Sequence, residues 1–472
     1  MDLGRSELLA AGLARQAELV AAGAVSSREL TEACIERIEG LQPRLNAFRV
    51  VLAEQAREAA DDADRRLAAG ETAPLLGVPV AIKDGVDVAG ELTTHGTLGF
   101  TTLAGEDAAQ VAKLREAGAI IIGKTTLPEL AICGFTETEA WGITRNPWDP
   151  TRTTGGSSGG SGAAVASLMV GAASASDGGG SIRIPAACCG LFGLKPQRGR
   201  VSLMPYREHW YGLSVNGCVS RRVADTALWL DVTAGRVEGD ADSPPPVESF
   251  AAAAARAPGK LRIAATTKPP RGPLPPKHDA RVAAAFEATK NVLKSLGHEV
   301  VDQAPDWGSV GNDFVPRYLR GIAQDVDAVE HPERLESRTR GFAKLGRRIP
   351  ERTLQTSLRR QGDHIARIGA IFDDFDVVLT PTTAEPAVEV GRWAGQGALR
   401  TLLGMARTYP YTPVWNHLGM PAASIPAPVP SGDLPVGMTL AAAQNGEELL
   451  ISLSAQVEAE TSWADRIPEL AS

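Results

Sequence analysis

The chain has 472 residues, of which 43% are hydrophobic and 22% charged, and its net charge is -8. These values allow a large buried core and argue against nucleic acid as the main partner, because phosphates are repelled by an acidic protein. The first residues lack the basic start and apolar centre of a signal peptide, and no apolar run reaches the ~18 residues of a membrane span. We expect a cytoplasmic protein with no membrane partner.

Residues 1 to about 70 show the three- and four-residue spacing of apolar side chains that is typical of helices. Ser26, with Glu29 three residues later, predicts the start of one of these helices. The run PLLGVPVAIKD, residues 74–84, is apolar and rich in β-branched residues, which indicates a buried strand. Alternation of helix and strand then continues to about residue 235 and favours an α/β fold.

The second half of the chain is expected to complete the same domain. A Pro-, Gly- and Ala-rich stretch over 236–280 indicates an exposed connection, and charged helical patterns over 281–375 indicate a helical insertion. Residues 376–472 hold further strands and a last helix from Glu447. We therefore predict a single large α/β domain with a central mixed β-sheet covered by helices, in which 1–70 is a helical segment and 71–235 the core.

The cysteines and histidines suggest no metal chemistry. Five cysteines without C-x-x-C spacing predict free thiols in a reducing compartment. The histidines include no H-x-x-x-H pair, so we expect no metal site, and no cofactor is expected either. The cysteines are Cys34, Cys133, Cys188, Cys189 and Cys218.

Two motif matches are misleading. GAIIIGKT, residues 118–125, fits the phosphate-binding P-loop pattern, but its three isoleucines predict a strand rather than a loop around phosphates. Gly155-x-Ser157-x-Gly159 fits the nucleophile elbow of α/β-hydrolases. That elbow requires an apolar strand immediately before the serine, and the preceding NPWDPTRTT is polar and broken by proline.

Lys83 is a candidate general base. A serine nucleophile needs a base, and where no histidine serves, a lysine can do so if burial keeps it neutral. Lys83 ends the most apolar approach to any lysine in the chain, and strand alternation places Asp84 on the opposite face. The alternative is a strand-end lysine that reaches solvent.

The stretch SDGGGSIRIP supplies a candidate nucleophile. Gly178, Gly179 and Gly180 expose backbone amides that can converge on an oxyanion, with Ser181 beside them. In GGSSGGSG, residues 155–162, the hydroxyl of Ser157 stands on nearly bare backbone and is suited to relay a proton. The alternative for SDGGGSIRIP is a plain glycine-rich turn.

The order of Lys83, GGSSGGS and DGGGSIRIPAACCGLFGLKP closely resembles the amidase signature family. Further segments in family order, such as GVPVAIKD, FDVVLTPT and YTPVWNHLGMPAASIP, extend the resemblance over most of the chain. One departure is Gly178, where the family often has Thr or a β-branched residue, which predicts a looser loop.

The resemblance implies a serine amidase that cleaves a carboxylic amide through an acyl-enzyme. In this family pattern Ser181 is the nucleophile, Ser157 the proton relay held by a cis peptide bond to Gly156, and Lys83 the base. Asp177 and Arg183 would support the site and Ser158 would be a hydrogen-bonding neighbour; the alternative for the pair is a simple loop ion pair. The partner is then a small-molecule amide, and a homodimer stays open.

The substrate pocket is predicted from less typical segments. Cys133 in LAICGF and Tyr206 and Trp210 in LMPYREHWYG are candidate pocket residues, with core packing as the alternative. The alternative functions are the glutaminase-type subunit of a tRNA-dependent amidotransferase and a non-catalytic interaction subunit. The glutaminase-type subunit usually has an Asp-Gln element where this chain reads GLSVNGCVSR, which argues against that function. The presence of Lys83, Ser157 and Ser181 argues against a non-catalytic subunit.

Overall fold

The computed structural model describes residues 4–272, 274–276 and 278–471. None of the helices in these ranges combines the length and apolar character that crossing a bilayer requires. The helices are α1 (Arg5–Ala10), α2 (Leu13–Ala21), α3 (Ser27–Leu45), α4 (Ala53–Ala68), α5 (Ala109–Glu116), α6 (Gly159–Ala166), α7 (Arg183–Cys189), α8 (Val223–Thr233), α9 (Phe250–Ala254), α10 (Ala280–Ser295), α11 (Val310–Asp327), α12 (Ser337–Arg347), α13 (Glu351–Arg359), α14 (Gln361–Gly369), α15 (Ala398–Thr408), α16 (Pro413–Leu418) and α17 (Glu447–Thr461).

Eleven of the strands form two mixed sheets, and β4 and β5 form a separate hairpin. The strands are β1 (Phe48–Val51), β2 (Pro79–Lys83), β3 (Ile120–Thr125), β4 (Glu137–Thr138), β5 (Gly142–Ile143), β6 (Ala172–Asp177), β7 (Gly193–Lys195), β8 (Val215–Ser220), β9 (Arg262–Ala265), β10 (Glu299–Asp302), β11 (Val377–Pro381), β12 (Ala422–Pro426) and β13 (Gly437–Ala441).

The first sheet has the order β1-β3-β2-β6-β8 and the second the order β10-β9-β11-β13-β12-β7. An antiparallel bridge between Phe192 and Ser220 joins them where β7 approaches β8. Each sheet has its own large apolar cluster of buried side chains. The single α/β domain predicted from the sequence is confirmed, with its central sheet built in two halves.

The parallel pairing of β2 with β6 positions the site. Ala81 pairs with Ala173, and both strands run in the same direction. The carboxyl ends of parallel strands meet at one edge of a sheet. Lys83 ends β2 and Asp177 ends β6, so the glycine-rich segment after Asp177 starts beside Lys83.

Several local predictions can be compared with the structure. Ser26 caps the start of α3, and its hydroxyl accepts from the amide of Glu29 at 3.1 Å, as the sequence predicts. The predicted helical segment 1–70 also contains the strand β1, which pairs with β3 and includes Val51. The segment 281–375 is mainly helical but contributes β10, parallel to β9. GAIIIGKT holds β3, so Lys124 lies in a strand and not in a phosphate loop.

Candidate active site

Lys83 lies buried at the end of β2 with its ammonium group directed at two serine hydroxyls. Nζ lies 2.7 Å from Oγ of Ser157 and 2.9 Å from Oγ of Ser176, and only 1% of the residue is exposed. Burial lowers the pKa of Lys83 to about 7, because the charged form loses its hydration, although the charge of Asp177 acts in the opposite direction. Lys83 is therefore neutral in a large fraction of molecules at pH 7.

Asp84 does not hold the proton of Lys83. Its carboxylate forms ion pairs with Arg49 Nε at 3.0 Å and Lys124 Nζ at 3.1 Å on the other face of the sheet. This is the separation that strand alternation predicts. The prediction that Lys83 is buried without an adjacent carboxylate is therefore confirmed for Asp84.

The GGSSGGSG stretch is buried and closely packed. The Gly156–Ser157 peptide bond is cis, as the family resemblance implies. A Cβ at Gly156 would lie 2.6 Å from the amide nitrogen of Phe135, and one at Gly160 would lie 2.4 Å from that of Thr126. These glycines are needed because neighbouring backbone approaches closely, which brings Ser157 against Lys83.

A buried ion pair holds the segment that carries Ser181. Arg183 donates from Nε to Asp177 Oδ2 at 3.0 Å and from Nη2 to Oδ1 at 3.1 Å, and both side chains are fully buried. Burial by itself would raise the pKa of Asp177, but the charge and hydrogen bonds of Arg183 lower it below its usual range. Asn416 on α16 donates to the Asp177 backbone oxygen and to Oδ1, each at 2.8 Å.

The three glycine amides are not equivalent, which corrects part of the oxyanion prediction. The amide of Gly180 donates to Asp177 Oδ1 at 2.6 Å, so it is not available to a ligand. The amides of Gly178 and Gly179 have no acceptor among the described residues. Gly180 has φ of +134°, a conformation that favours glycine, and a Cβ there would lie 2.4 Å from Oγ1 of Thr412.

The expectation of a looser loop at Gly178 is wrong. A Cβ at this position would lie 2.7 Å from Cε3 of Trp210. The indole ring of Trp210 therefore occupies the space that a larger side chain would need, and the loop is packed there. Ser158, predicted as a hydrogen-bonding neighbour, bonds to the backbone of Ser176 at 3.3 Å.

Ser181 is partly buried and lies where two cavities meet. We call the first the apolar cavity; its lining includes Cys133, Ser181, Phe314, Tyr318, Leu402 and Met405. We call the second the polar cavity; its lining includes Lys83, Asp87, Ser157, Ser176, Ser181 and Asp325. Ser181 Oγ has no hydrogen-bond partner among the described residues and so is free to meet a ligand.

The predicted pocket residues lie around these cavities. Cys133 lines the apolar cavity, Tyr206 the polar cavity and Trp210 both. Tyr206 is half exposed, whereas Trp210 is buried and donates from Nε1 to Asp325 Oδ2 at 2.6 Å. Burial raises the pKa of the Cys133 thiol to about 12, so this thiol is not a nucleophile at neutral pH.

Sequence reasoning missed several contributors to the site. Ser176 contacts Lys83, and alternation of Ser174 and Ser176 along β6 was a usable signal. Phe314, Tyr318 and Asp325 come from α11, more than 130 residues after Ser181. Nothing in the local pattern of that helix shows which cavity it faces, because its placement depends on tertiary packing.

Lys195 shows why a lowered pKa does not identify a base. It is fully buried, and burial lowers its pKa to about 7, as for Lys83. Its Nζ donates to the backbone oxygen of Pro196 at 2.8 Å, and it lines neither cavity. Position, and not the pKa, distinguishes the two lysines.

Comparison with known proteins assigns the family. The amidase family model matches residues 29–451. The chain belongs to the amidase signature family. AmiB2 of Mycobacterium tuberculosis, which carries an amidase name, is 47% identical over 466 residues, covering 98% of this chain and 99% of its own.

Solved amidase structures share the whole fold. The structure of 6-aminohexanoate cyclic dimer hydrolase with its substrate superposes with a TM-score of 0.90 at 31% identity, covering 98% of this chain and 100% of the other. A bacterial aryl acylamidase of the same family superposes with a TM-score of 0.84 at 26% identity, covering 98% of each chain. This chain is accordingly an amidase, a hydrolase of carboxylic amides that acts through a seryl acyl-enzyme. Neither alternative function is favoured.

Proposed function

We propose that Ser181 is the nucleophile of this amidase, Ser157 its proton relay and Lys83 its base. The observation that supports this most directly is the 2.7 Å contact between buried Lys83 Nζ and Ser157 Oγ in the cavity that also contains Ser181. A lysine with a pKa of about 7 can accept a proton at neutral pH.

The first half of the reaction forms an ester. Ser181 Oγ attacks the amide carbonyl carbon while its proton passes to Ser157 and the Ser157 proton passes to Lys83. The free amides of Gly178 and Gly179 stabilise the oxyanion. The C–N bond then breaks, and the leaving nitrogen takes a proton from Ser157, which regains one from Lys83.

The second half regenerates the enzyme. A water molecule loses its proton to the same pair of groups and attacks the ester carbonyl, and the C–O bond to Ser181 breaks as Ser181 recovers its proton. The products are a carboxylate and ammonia or an amine. Asp177 and Arg183 act by holding the Ser181 segment, and neither is proposed to touch the substrate.

Labelling with a fluorophosphonate tests the nucleophile. We expect the wild-type protein to be labelled on Ser181 and the Ser181→Ala variant to lose both label and amide hydrolysis. Ser214, a second serine that lines the polar cavity, provides the control, because Ser214→Ala should keep the label. Full labelling of Ser181→Ala would refute the assignment.

We also propose a cytoplasmic location. All five cysteines are buried and free, which suits a reducing compartment. Cell fractionation with a periplasmic marker tests this, and co-purification with that marker would contradict it. The homodimer remains a prediction, which a molar mass measured by light scattering in solution would test.

A further inference from the structure

The two cavities that meet at Ser181 differ in chemistry. The apolar cavity is lined by Ile132, Ile184, Phe314, Leu402 and Met405, with Arg271 exposed at its edge. The polar cavity holds the two carboxylates of Asp87 and Asp325. A substrate bound at Ser181 can therefore place one part in a hydrophobic environment and the other beside negative charge.

The proton relay determines which part of the amide enters which cavity. Lys83 and Ser157 line the polar cavity and not the apolar one, whereas Ser181 lines both. The leaving nitrogen must come within hydrogen-bonding distance of Ser157 to receive its proton. Its substituent then extends into the polar cavity, and the acyl group extends into the apolar cavity.

Asp87 is the carboxylate in the polar cavity that remains available. Asp325 is already hydrogen-bonded to His209 Nε2 at 3.0 Å and to Trp210 Nε1 at 2.6 Å. The Asp87 side chain has no hydrogen bond or ion pair with the described residues and is partly buried.

The cationic groups around Asp87 do not neutralise it. Lys83 is neutral when it acts as the base, and burial lowers the pKa of His95, which keeps that imidazole uncharged. Lys124 is paired with Asp84, and His209 with Asp325. A substrate cation would supply the missing partner.

We propose that the polar cavity is the leaving-group subsite, that Asp87 selects amines with a second, cationic nitrogen, and that the substrates are secondary amides with an apolar acyl group. This inference rests on the proposed roles of Ser181 and Ser157. The reaction is R–CO–NH–R′ plus water giving R–COO⁻ and the amine R′–NH₃⁺, where R is apolar and R′ carries the cation.

Four hexanoyl amides with one shared acyl group test the proposal. N-(2-aminoethyl)hexanamide has a cationic leaving group, N-propylhexanamide is its neutral isostere, N-hexanoyl-β-alanine is anionic, and hexanamide releases ammonia. We expect kcat/KM to be highest for the aminoethyl amide and lowest for the β-alanine amide. The decisive quantity is the ratio of kcat/KM between the aminoethyl and propyl amides.

Asp87→Asn should lower this ratio by roughly tenfold, which is what loss of one charge-assisted hydrogen bond produces. Asp87→Glu should keep the preference for the cation. The control is Glu106→Gln, which removes a nearby exposed carboxylate that lines neither cavity and should leave the ratio unchanged. The ratio does not depend on the fraction of folded protein, since misfolding lowers the rates for both amides by the same factor.

Three results would overturn the proposal: a wild-type enzyme that cleaves only hexanamide, a wild-type ratio near one, or an unchanged ratio in Asp87→Asn. Each of these leaves the proposed catalytic roles intact. Failure of those roles would be seen separately, as hydrolysis of all four amides by Ser181→Ala.

Discussion

At the scale of single residues, the site depends on where a buried lysine lies. Lys83 and Lys195 are both enclosed and both have a pKa lowered to about 7 by burial, yet only Lys83 reaches a serine hydroxyl in a cavity. Asp84, adjacent in sequence, is occupied by Arg49 and Lys124 on the other face. Strand alternation thus separates the base from a carboxylate that would keep it protonated.

We predict that kcat/KM for a neutral amide rises with pH through about 7. The neutral form of Lys83 is the active one, and it becomes populated as pH passes the lowered pKa. Lys83→Ala should reduce kcat by about 10²–10⁴-fold and remove this acid limb, since general base catalysis contributes that much. A pH–rate profile measures both effects, and wild-type turnover by Lys83→Ala would exclude the proposed base.

At the scale of elements, α11 contributes side chains to the lining of both cavities. Phe314 lies over Gly179, Tyr318 donates to the backbone oxygen of Ile132, and Asp325 fixes His209 and Trp210. The helix also approaches Trp210 through Gly321, where a Cβ would lie 2.5 Å from Cδ1 of the indole. The lining of both cavities therefore depends on an element remote in sequence from the proposed nucleophile.

Gly321→Ala should raise KM several-fold with a smaller change in kcat. The added methyl group displaces Trp210, which lines both cavities and whose indole donates to Asp325 and not to the Lys83–Ser157 pair. Gly362→Ala on α14 is the matched control, because a Cβ there has no neighbour within 4 Å and Ala is the better helix former. Steady-state kinetics of both variants measures the change in KM, and unfolding followed by circular dichroism shows whether either variant has lost its fold. An unchanged KM in Gly321→Ala would contradict the proposal that the position of Trp210 affects substrate binding.

At the scale of the whole molecule, a buried carboxylate joins the N-terminal helices to the core. Asp225 on α8 accepts from the amide of Ala14 at the start of α2 at 2.9 Å, and its Oδ2 has no partner among the described residues. Burial raises the pKa of Asp225 to about 7, although the bond from Ala14 favours the charged form. We therefore expect the packing of α2 on the domain to depend on pH.

Asp225→Asn should make stability less dependent on pH. The folded pKa of about 7 lies above the unfolded value of ~3.9, so the folded state binds the extra proton and the unfolding free energy falls as pH rises between these values. Relative to wild type, the variant should gain stability from pH 5 to pH 8, by at most about 1.4 kcal/mol for each pH unit within that interval.

Urea unfolding at pH 5 and pH 8 measures this gain. Glu460→Gln, which changes an exposed carboxylate, provides the control and should follow wild type at both pH values. If the difference in unfolding free energy between Asp225→Asn and wild type is the same at pH 5 and pH 8, folding does not shift the pKa of Asp225 within this range, and the prediction is wrong.

Local chemistry explains which features were predictable. The apolar run before Lys83 made a buried strand the favourable structure, and the isoleucines of GAIIIGKT did the same for β3. The strand β1 inside the predicted helical segment 1–70 was not predicted, because an apolar spacing that suits a helix also suits a short edge strand when β3 pairs with it. The composition of GGSSGGSG drew attention to this stretch. Its glycines are required, however, because the backbone at Phe135 and Thr126 approaches them closely, which the local sequence does not show.

The amino-acid sequence by itself determined the α/β class and the buried strand that ends at Lys83, because both depend on local apolar periodicity. It also showed the two glycine-serine segments as parts of a contiguous family pattern. Only the tertiary structure decided that the Gly180 amide is taken by Asp177 and that Ser181 stands between two cavities. It also placed Asp87, which has no side-chain partner among the described residues, in the same cavity as the relay. The two cavities depend on contacts between segments more than a hundred residues apart. The bond from Gly180 to Asp177 spans only three residues, but the Asp177 carboxylate is held by Asn416 from the distant helix α16.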